Sequence, residues 1–163
     1  MGILKKLFDD FDNNWRKSFE NGLSDNAVRN SARRHAFWID HEALRQFYHN
    51  EHEISKNVFR SNQPSPERIK IWSGKGIKTI VNFRGETNQG SYFLEKEACE
   101  TFGIELINFR LFATKLPSRE SILELENVFK KIKSPFLMHC KSGSDRAGLG
   151  SALYFIYILR SPI

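Results

Sequence analysis

Cysteine is scarce in this chain: its 163 residues include only Cys99 and Cys140. Two cysteines cannot form the disulfide framework of a small secreted domain. Residues 1–15 lack the long uncharged core of a secretory signal peptide, and no apolar run reaches the length of a membrane span. The longest apolar run, residues 152–159, is typical of a buried helix. We therefore expect a cytoplasmic protein with free thiols and no transmembrane segment.

Clusters of metal ligands are also missing. His41, His49 and His52 do not stand at metal-ligand spacing from cysteines or carboxylates, so we predict no metal site and no cofactor. The net charge does not decide the class of partner. The 25 basic and 19 acidic residues give a formal net charge of +6. Such an excess favours anionic partners and is equally compatible with an incidentally basic surface. From charge alone the anionic partner stays open among phosphoproteins, phosphoinositides, nucleic acid and a membrane surface.

Strand and helix patterns alternate from Glu53 onward. Apolar and β-branched runs predict strands, and capped amphipathic stretches predict helices. The predicted order is strand pieces at Ile54 and 58–60, helix 66–75 capped by Ser65, strand 77–83, helix 91–102, strand 104–109, a helix after Ser118, strand 135–138 and helix 147–159. This order predicts an α/β fold with a four- to five-stranded, largely parallel sheet flanked by helices. Ligands bind such sheets at the carboxyl ends of the strands.

The first fifty residues differ from the rest. Residues 3–19 carry apolar side chains at helical spacing, with mixed charges that cancel on the other face, which favours packing on protein over a membrane surface. Residues 24–50 are less regular, and Asp40 is a candidate cap for a short helix through Phe47. We predict an N-terminal helical extension over residues 1–50 and a separate α/β domain over residues 51–163.

One loop carries the chemistry of the chain. It lies between the predicted strand 135–138 and the apolar helix that follows, so its backbone N–H groups and the helix N-terminus converge on one point. Its members are His139, Cys140, Lys141, Ser142, Gly143, Ser144, Asp145 and Arg146. Gly143 permits close backbone approach, and Arg146 can grip two phosphate oxygens at once. The same donors stabilise a thiolate, so the loop predicts a phosphate cradle with Cys140 as nucleophile and His139 as a supporting residue.

The motif His139-Cys140-x-x-Gly143-x-x-Arg146 resembles that of the Cys-x5-Arg protein tyrosine phosphatase superfamily, in particular its dual-specificity branch of bacterial and atypical type. The resemblance extends to residues 59–66 and 76–86 and covers residues 53–159. It implies hydrolysis of phosphomonoesters through a phosphocysteine intermediate. Residues 141–146 would bind the substrate phosphate. The predicted partner is thus a phosphorylated substrate and not nucleic acid. Its identity stays open among phosphotyrosine, phosphoserine and phosphothreonine proteins, inositol phosphates and phosphoinositides.

Two positions depart from that family pattern. The residue after the arginine is usually Ser or Thr and is Ala147 here, which slows the second step unless Ser142 or Ser144 substitutes. The loop that usually supplies the general acid, residues 110–117, contains no carboxylate. Asp145 is the predicted replacement. The alternative is that Asp145 only pairs with Arg146, and Glu120 is a weaker candidate acid.

Further expectations concern the ends of the site and of the chain. Lys141, next to the nucleophile, and Lys115 are candidate contacts for a highly anionic substrate. The chain ends soon after helix 147–159, where the resembling phosphatases continue with further helices. We therefore expect an apolar patch around Tyr154, Ile158 or Leu159 that is covered by the N-terminal helix or by self-association. A phosphate-binding regulatory module with little turnover is the alternative function.

Overall fold

The computed structural model describes residues 2–160. Within them lie seven α-helices and five β-strands. In chain order they are α1 (Gly2–Lys17), α2 (Asn26–Trp38), α3 (Glu42–Arg45), β1 (His52–Ser55), β2 (Val58–Ser61), α4 (Pro66–Gly74), β3 (Thr79–Asn82), α5 (Gly90–Phe102), β4 (Glu105–Asn108), α6 (Arg119–Lys131), β5 (Phe136–His139) and α7 (Asp145–Tyr154), and a π-helical turn, Phe155–Leu159, continues α7. Every element predicted from Glu53 onward is present, with ends shifted by at most two residues.

The five strands form one sheet in the order β1-β2-β5-β3-β4. Only the β1–β2 pair is antiparallel, because a short turn joins these two strands. The other three pairings are parallel, so the predicted α/β fold with a largely parallel sheet is confirmed. The strand β5 is central, and its last residue, His139, lies in register with Ser61 and Asn82. The loop that follows therefore leaves from the middle of the carboxyl edge.

Two apolar layers cover the sheet. Phe136 and Met138 of β5 face one layer, which includes Leu125 and Phe129 of α6. Leu137 faces the other layer with α4 and α5, because successive side chains of a strand point to opposite faces. All strand residues of β3 and β5 are buried, as expected for central parallel strands covered on both sides. This packing fixes the direction of β5 and thereby the position of the catalytic loop.

The N-terminal region is more regular than the sequence predicted. Residues 26–38 form the helix α2, which Asp25 caps by accepting hydrogen bonds from the N–H groups of Ala27 and Val28. The helix packs on α5, and at the contact a Cβ on Gly90 would overlap the backbone of Ala32. The predicted cap of the short third helix is wrong. His41 occupies that position, and the Asp40 side chain binds arginines instead.

A buried pair joins α1 to this assembly. Nε2 of His35 lies 2.8 Å from Oδ1 of Asp12, and Nδ1 of His35 accepts the N–H of Gly90 at 3.4 Å. Burial lowers the pKa of His35 despite the opposing bond from Asp12, so the ring is neutral near pH 7. Only the C-terminal end of α1 is covered, and its first half leaves Leu7 and Phe8 60% and 53% exposed.

The C-terminal helix differs from expectation at one residue. Tyr154, predicted to be part of an exposed patch, is buried because its ring packs edge-on against Phe129 of α6 and Phe136 of β5. Ile158 packs partly against the same core, while Ile156 and Leu159 remain 40% and 39% exposed. Self-association through this surface stays a prediction. No helix within residues 2–160 is long and apolar enough to cross a membrane.

Two glycines of α7 make a matched test of its packing. A Cβ at Gly150 would overlap the buried ring of Phe83, whereas a Cβ at Gly148 would meet only Arg60 Nη1 at 3.7 Å. We expect Gly150→Ala to lower the free energy of unfolding by about 1–3 kcal/mol through overpacking. The control Gly148→Ala should be neutral or slightly stabilising, because alanine favours the helix. Urea denaturation of both variants measures this, and equal midpoints would contradict it.

Candidate active site

The loop after β5 curls around the thiol of Cys140. The Cys140 side chain is only 1% exposed at the base of the loop, and the N–H of Gly143 donates to its Sγ at 3.2 Å. Gly143 has a φ of +77°, and a Cβ there would lie 2.8 Å from the backbone of Ser61 and Asn62. Only glycine fits this position without moving the neighbouring chain. The first N–H groups of α7, which begins at Asp145, have no intrahelical acceptor and complete the cradle.

The N-terminal segment holds this loop from outside. Asn50 Nδ2 donates to the carbonyl oxygen of Ser142 at 3.0 Å. Nζ of Lys141 lies 3.3 Å from Oδ1 of Asp40. Outside this segment, the N–H of Gln63, after β2, also donates to the carbonyl oxygen of Lys141 at 3.3 Å. The loop conformation therefore depends on residues 40–50, which precede the residues 53–159 covered by the motif resemblance. Local sequence around the motif gave no sign of this.

Two open clefts adjoin the loop and share Arg146. The first has a volume of about 370 Å³, and its walls come from the α3 region and the start of the loop. Its lining residues are His41, Leu44, Arg45, Tyr48, Lys141, Ser142 and Arg146. The second has a volume of about 360 Å³ and lies against the end of the loop. Its lining residues are Phe112, Ala113, Thr114, Lys115, Leu116, Asp145, Arg146 and Leu149.

A chain of buried polar groups supports the loop from behind. Nε2 of His139 lies 2.6 Å from Oε1 of Glu95, and both side chains are fully buried. Gln63 Nε2 donates to the other carboxylate oxygen of Glu95 at 2.8 Å. On its near side, Nδ1 of His139 lies 3.4 Å from the carbonyl oxygen of Cys140. The supporting role of His139 stays a prediction, and the structure places Glu95 of α5 beside its ring.

The chain continues from Gln63 to Arg84 and Asp40. Arg84 Nη1 donates to Gln63 Oε1 at 2.9 Å, and the two Nη atoms donate to the two Asp40 oxygens at 2.7 and 2.8 Å. Ser91 Oγ donates to Asp40 at 2.6 Å, and Arg45 pairs with the same carboxylate at 3.3 Å. Burial by itself raises the pKa of Asp40, but Arg84 and then Arg45 outweigh it and hold that pKa far below its usual range. Asp40 is therefore a permanent anion beside the cradle.

Asp145 lies at the mouth of the second cleft. Its side chain is exposed and lines this cleft. Within residues 2–160 it forms no ion pair or side-chain hydrogen bond with Arg146 or any other residue. The alternative in which Asp145 merely pairs with Arg146 is thus not the arrangement in this structure. Glu120 is exposed at the start of α6, outside the lining of both clefts. Asp145 is the carboxylate that the structure brings to a cleft together with Arg146.

The remaining predicted residues fall on the same loop. Ser142 and Ser144 are exposed, and Ala147 is fully buried under the loop. Lys115, the candidate contact for an anionic substrate, lies outside this loop and lines the cleft of Asp145. The sequence did not identify Asp40, Glu95 or Gln63 as parts of the site. A glutamate on the buried face of α5 is the signal that could have identified Glu95.

Comparisons with known proteins agree with this geometry. The family described as "DSP-PTPase phosphatase fused to NAD+ Kinase" matches residues 26–161. The dual specificity protein phosphatase TpbA of Pseudomonas aeruginosa (strain UCBPP-PA14) is 24% identical over 110 residues, which are 67% of this chain and 47% of that protein. The chain thus spans about half the length of this relative.

Solved structures share the fold at low identity. The crystal structure of P. aeruginosa TpbA has a TM-score of 0.55 and 21% identity, covering 70% of this chain and 67% of that chain. The core catalytic domain of the PP-IP phosphatase SIW14 from S. cerevisiae has a TM-score of 0.53 and 23% identity, covering 64% and 63%. With residues 26–161 matched, this chain belongs to the family of DSP-PTPase phosphatase domains described as fused to NAD+ kinase.

Proposed function

We propose that this chain is a cysteine-dependent phosphatase that hydrolyses phosphomonoesters, with the chemistry in residues 51–163 and residues 1–50 as a helical extension that supports the loop. One observation carries the proposal. The thiol of Cys140 lies at the base of a loop whose Gly143 N–H points at Sγ from 3.2 Å and whose last member is Arg146. Such a cradle binds a phosphate dianion and stabilises the charge that develops on its oxygens.

In the first step, the Cys140 thiolate attacks phosphorus in line with the ester oxygen. The S–P bond forms as the P–O ester bond breaks, and the electron pair stays on the leaving oxygen. Asp145 donates a proton to that oxygen from the mouth of the second cleft. Arg146 and the backbone N–H groups hold the equatorial oxygens throughout.

In the second step, water attacks the phosphocysteine. Asp145, now ionised, removes a proton from the water, and the S–P bond breaks to regenerate the thiolate and release inorganic phosphate. Ala147 is buried and has no hydroxyl to donate to the departing sulfur. Among the described residues, only the N–H of Gly143, at 3.2 Å, is positioned to stabilise the departing sulfur. Because the usual hydroxyl donor is missing, we expect the second step to limit turnover.

Two similar proteins suggest which classes of substrate this chain hydrolyses. A crystal structure of TpbA contains pTyr, and SIW14 is a PP-IP phosphatase. Both phosphotyrosine and inositol phosphates are therefore candidates for this chain, together with phosphoinositides. Lys141, held by Asp40 at 3.3 Å, supplies a cation next to the cradle that favours a substrate with additional negative charge.

Release of inorganic phosphate tests the proposal directly. Purified protein is assayed with an aryl phosphate, phosphopeptides and inositol phosphates at equal concentration. We expect release from at least one class, and its relative rates define the substrate. Absence of release from every class, with phosphate still binding, would instead support the alternative of a regulatory phosphate-binding module, which Ala147 favours.

The role of Asp145 is tested by Asp145→Asn. This change keeps the shape of the side chain and removes its titratable proton. We expect turnover to fall about 10²- to 10³-fold while the affinity for inorganic phosphate is retained, because general acid catalysis contributes about that much. Glu120→Gln is the matched control and should leave turnover unchanged. Near-normal turnover of Asp145→Asn would remove Asp145 from the mechanism.

A further inference from the structure

Five apolar side chains stand in solvent around the phosphate loop. Their exposed fractions are 70% for Leu44, 91% for Phe47, 56% for Tyr48, 57% for Phe112 and 92% for Leu116. We call these five residues the apolar rim. Single exposed apolar side chains are ordinary on protein surfaces, but a group of large ones at one place marks an interaction surface.

The apolar rim is divided between the two sides of the loop. Leu44 and Tyr48 line the cleft against Lys141 and Ser142. Phe47 lies between them in the chain, in the turn that follows α3. Phe112 and Leu116 line the other cleft against Asp145. Because both clefts contain Arg146, the rim brackets the phosphate cradle.

Charged groups among the rim residues are mostly basic. Lys115 and Arg146 have no acidic ion-pair partner within residues 2–160. Asp40 neutralises only part of the charge of Lys141 and two arginines, and Asp145 is the one carboxylate that lines the two clefts. Two copies of this surface would repel each other, because the whole chain also has a net charge of +6. The partner is therefore apolar and negatively charged.

The extent of the exposure distinguishes a bilayer from a peptide. A phosphopeptide held in the cradle would touch the cleft walls, which include Leu116, and would leave Phe47, which lines neither cleft, in water. Several separate apolar side chains can insert into a bilayer at the same time, because its acyl region is continuous. Anionic headgroups at the surface of the bilayer then face the basic residues. We propose that the apolar rim docks this protein on an anionic phospholipid surface, with the cradle facing the headgroup phosphates.

Docking also narrows the substrate. This inference rests on the proposed phosphatase function. The substrate class that fits is a phosphomonoester on a lipid headgroup, which would be hydrolysed by the same two steps. Phosphoinositides share this chemistry with simpler lipids such as phosphatidic acid. Phosphate release from phosphoinositides and from phosphatidic acid, compared in otherwise identical vesicles, shows which lipid is the substrate.

Vesicle cosedimentation tests docking without any chemistry. The full chain is mixed with vesicles of phosphatidylcholine alone or with phosphatidylserine, which carries charge but no phosphomonoester. We expect binding to the anionic vesicles that weakens in high salt, and a drop of about tenfold or more in the double variant Phe47→Ser/Leu116→Ser. The matched control is Leu7→Ser/Phe8→Ser on α1, which is also exposed and should bind as the natural chain does.

Three outcomes would overturn the proposal. They are no binding of the natural chain to anionic vesicles, an equal loss in the α1 control, and a rim variant that binds vesicles normally but loses activity on phosphopeptides. Phosphate release from vesicles with phosphatidic acid or phosphoinositide is measured in parallel. If vesicles bind and no substrate of any kind is hydrolysed, the phosphatase function fails while the docking surface stands.

Discussion

Replacing the nucleophile, Cys140→Ser, should abolish turnover, with a loss on the order of 10⁴-fold or more. A serine hydroxyl at this position remains protonated near neutral pH, so the S–P bond that defines the first step has no counterpart. The cradle itself is unchanged, because Gly143 and Arg146 keep their places around the side chain. The variant should therefore still bind inorganic phosphate, and its complex with substrate should accumulate. Phosphate release and binding, measured on the same preparation, check both parts.

Cys99 provides the matched control for the nucleophile. It is buried in α5 between the side chains of the second apolar layer, and burial raises the pKa of its thiol far above the ordinary range. It cannot act as a thiolate near neutral pH. Cys99→Ser should retain turnover per folded molecule. A phosphocysteine trapped by acid quenching should form in this variant and be absent in Cys140→Ser. Equal phosphate release by Cys140→Ser and the natural chain would remove the cysteine mechanism.

The second large effect is expected at Asp40. Its carboxylate is 2% exposed and faces Arg84, Arg45 and Lys141. Asp40→Asn leaves these cations without their common anion, and breaking a buried pair in this way costs about 3–5 kcal/mol. We expect a lower urea midpoint and, because Lys141 and the Arg84–Gln63 bond lose their anchor, lower turnover per folded molecule. Asp9→Asn, an exposed change of equal charge on α1, should alter neither quantity.

The same carboxylate predicts a dependence of stability on pH. The pKa of Asp40 is lowered in the folded protein, so the unfolded chain takes up the proton first as the pH falls. The contribution of Asp40 is complete above the ordinary carboxyl pKa of about 4 and is lost progressively below it. The stability difference between the natural chain and Asp40→Asn should therefore be constant near neutrality and shrink below about pH 4. A difference that grows on acidification would contradict this role.

The sequence by itself determined the catalytic loop and the fold around it. The apolar run 136–138, the glycine at 143 and the apolar helix after Arg146 are local signals, because each depends on backbone propensity or on side-chain periodicity. The alternation of strands and helices then places the loop at the carboxyl edge of a parallel sheet, where the structure has it. Local patterns sufficed there because neighbouring residues in the chain make the feature.

The tertiary structure alone decided what surrounds the loop. Asp40 was assigned to a helix cap from its neighbours in the chain, while its actual partner Arg84 is 44 residues away. Glu95 of the helix α5 lies beside His139 of the strand β5, and the packing of Phe129 and Phe136 buries Tyr154. The partners of a buried charge or ring are set by which elements the fold brings together. Contacts between residues that are far apart in the chain follow no periodic pattern in the sequence. The supporting network, the cleft walls and the apolar rim could therefore be identified only from the tertiary structure.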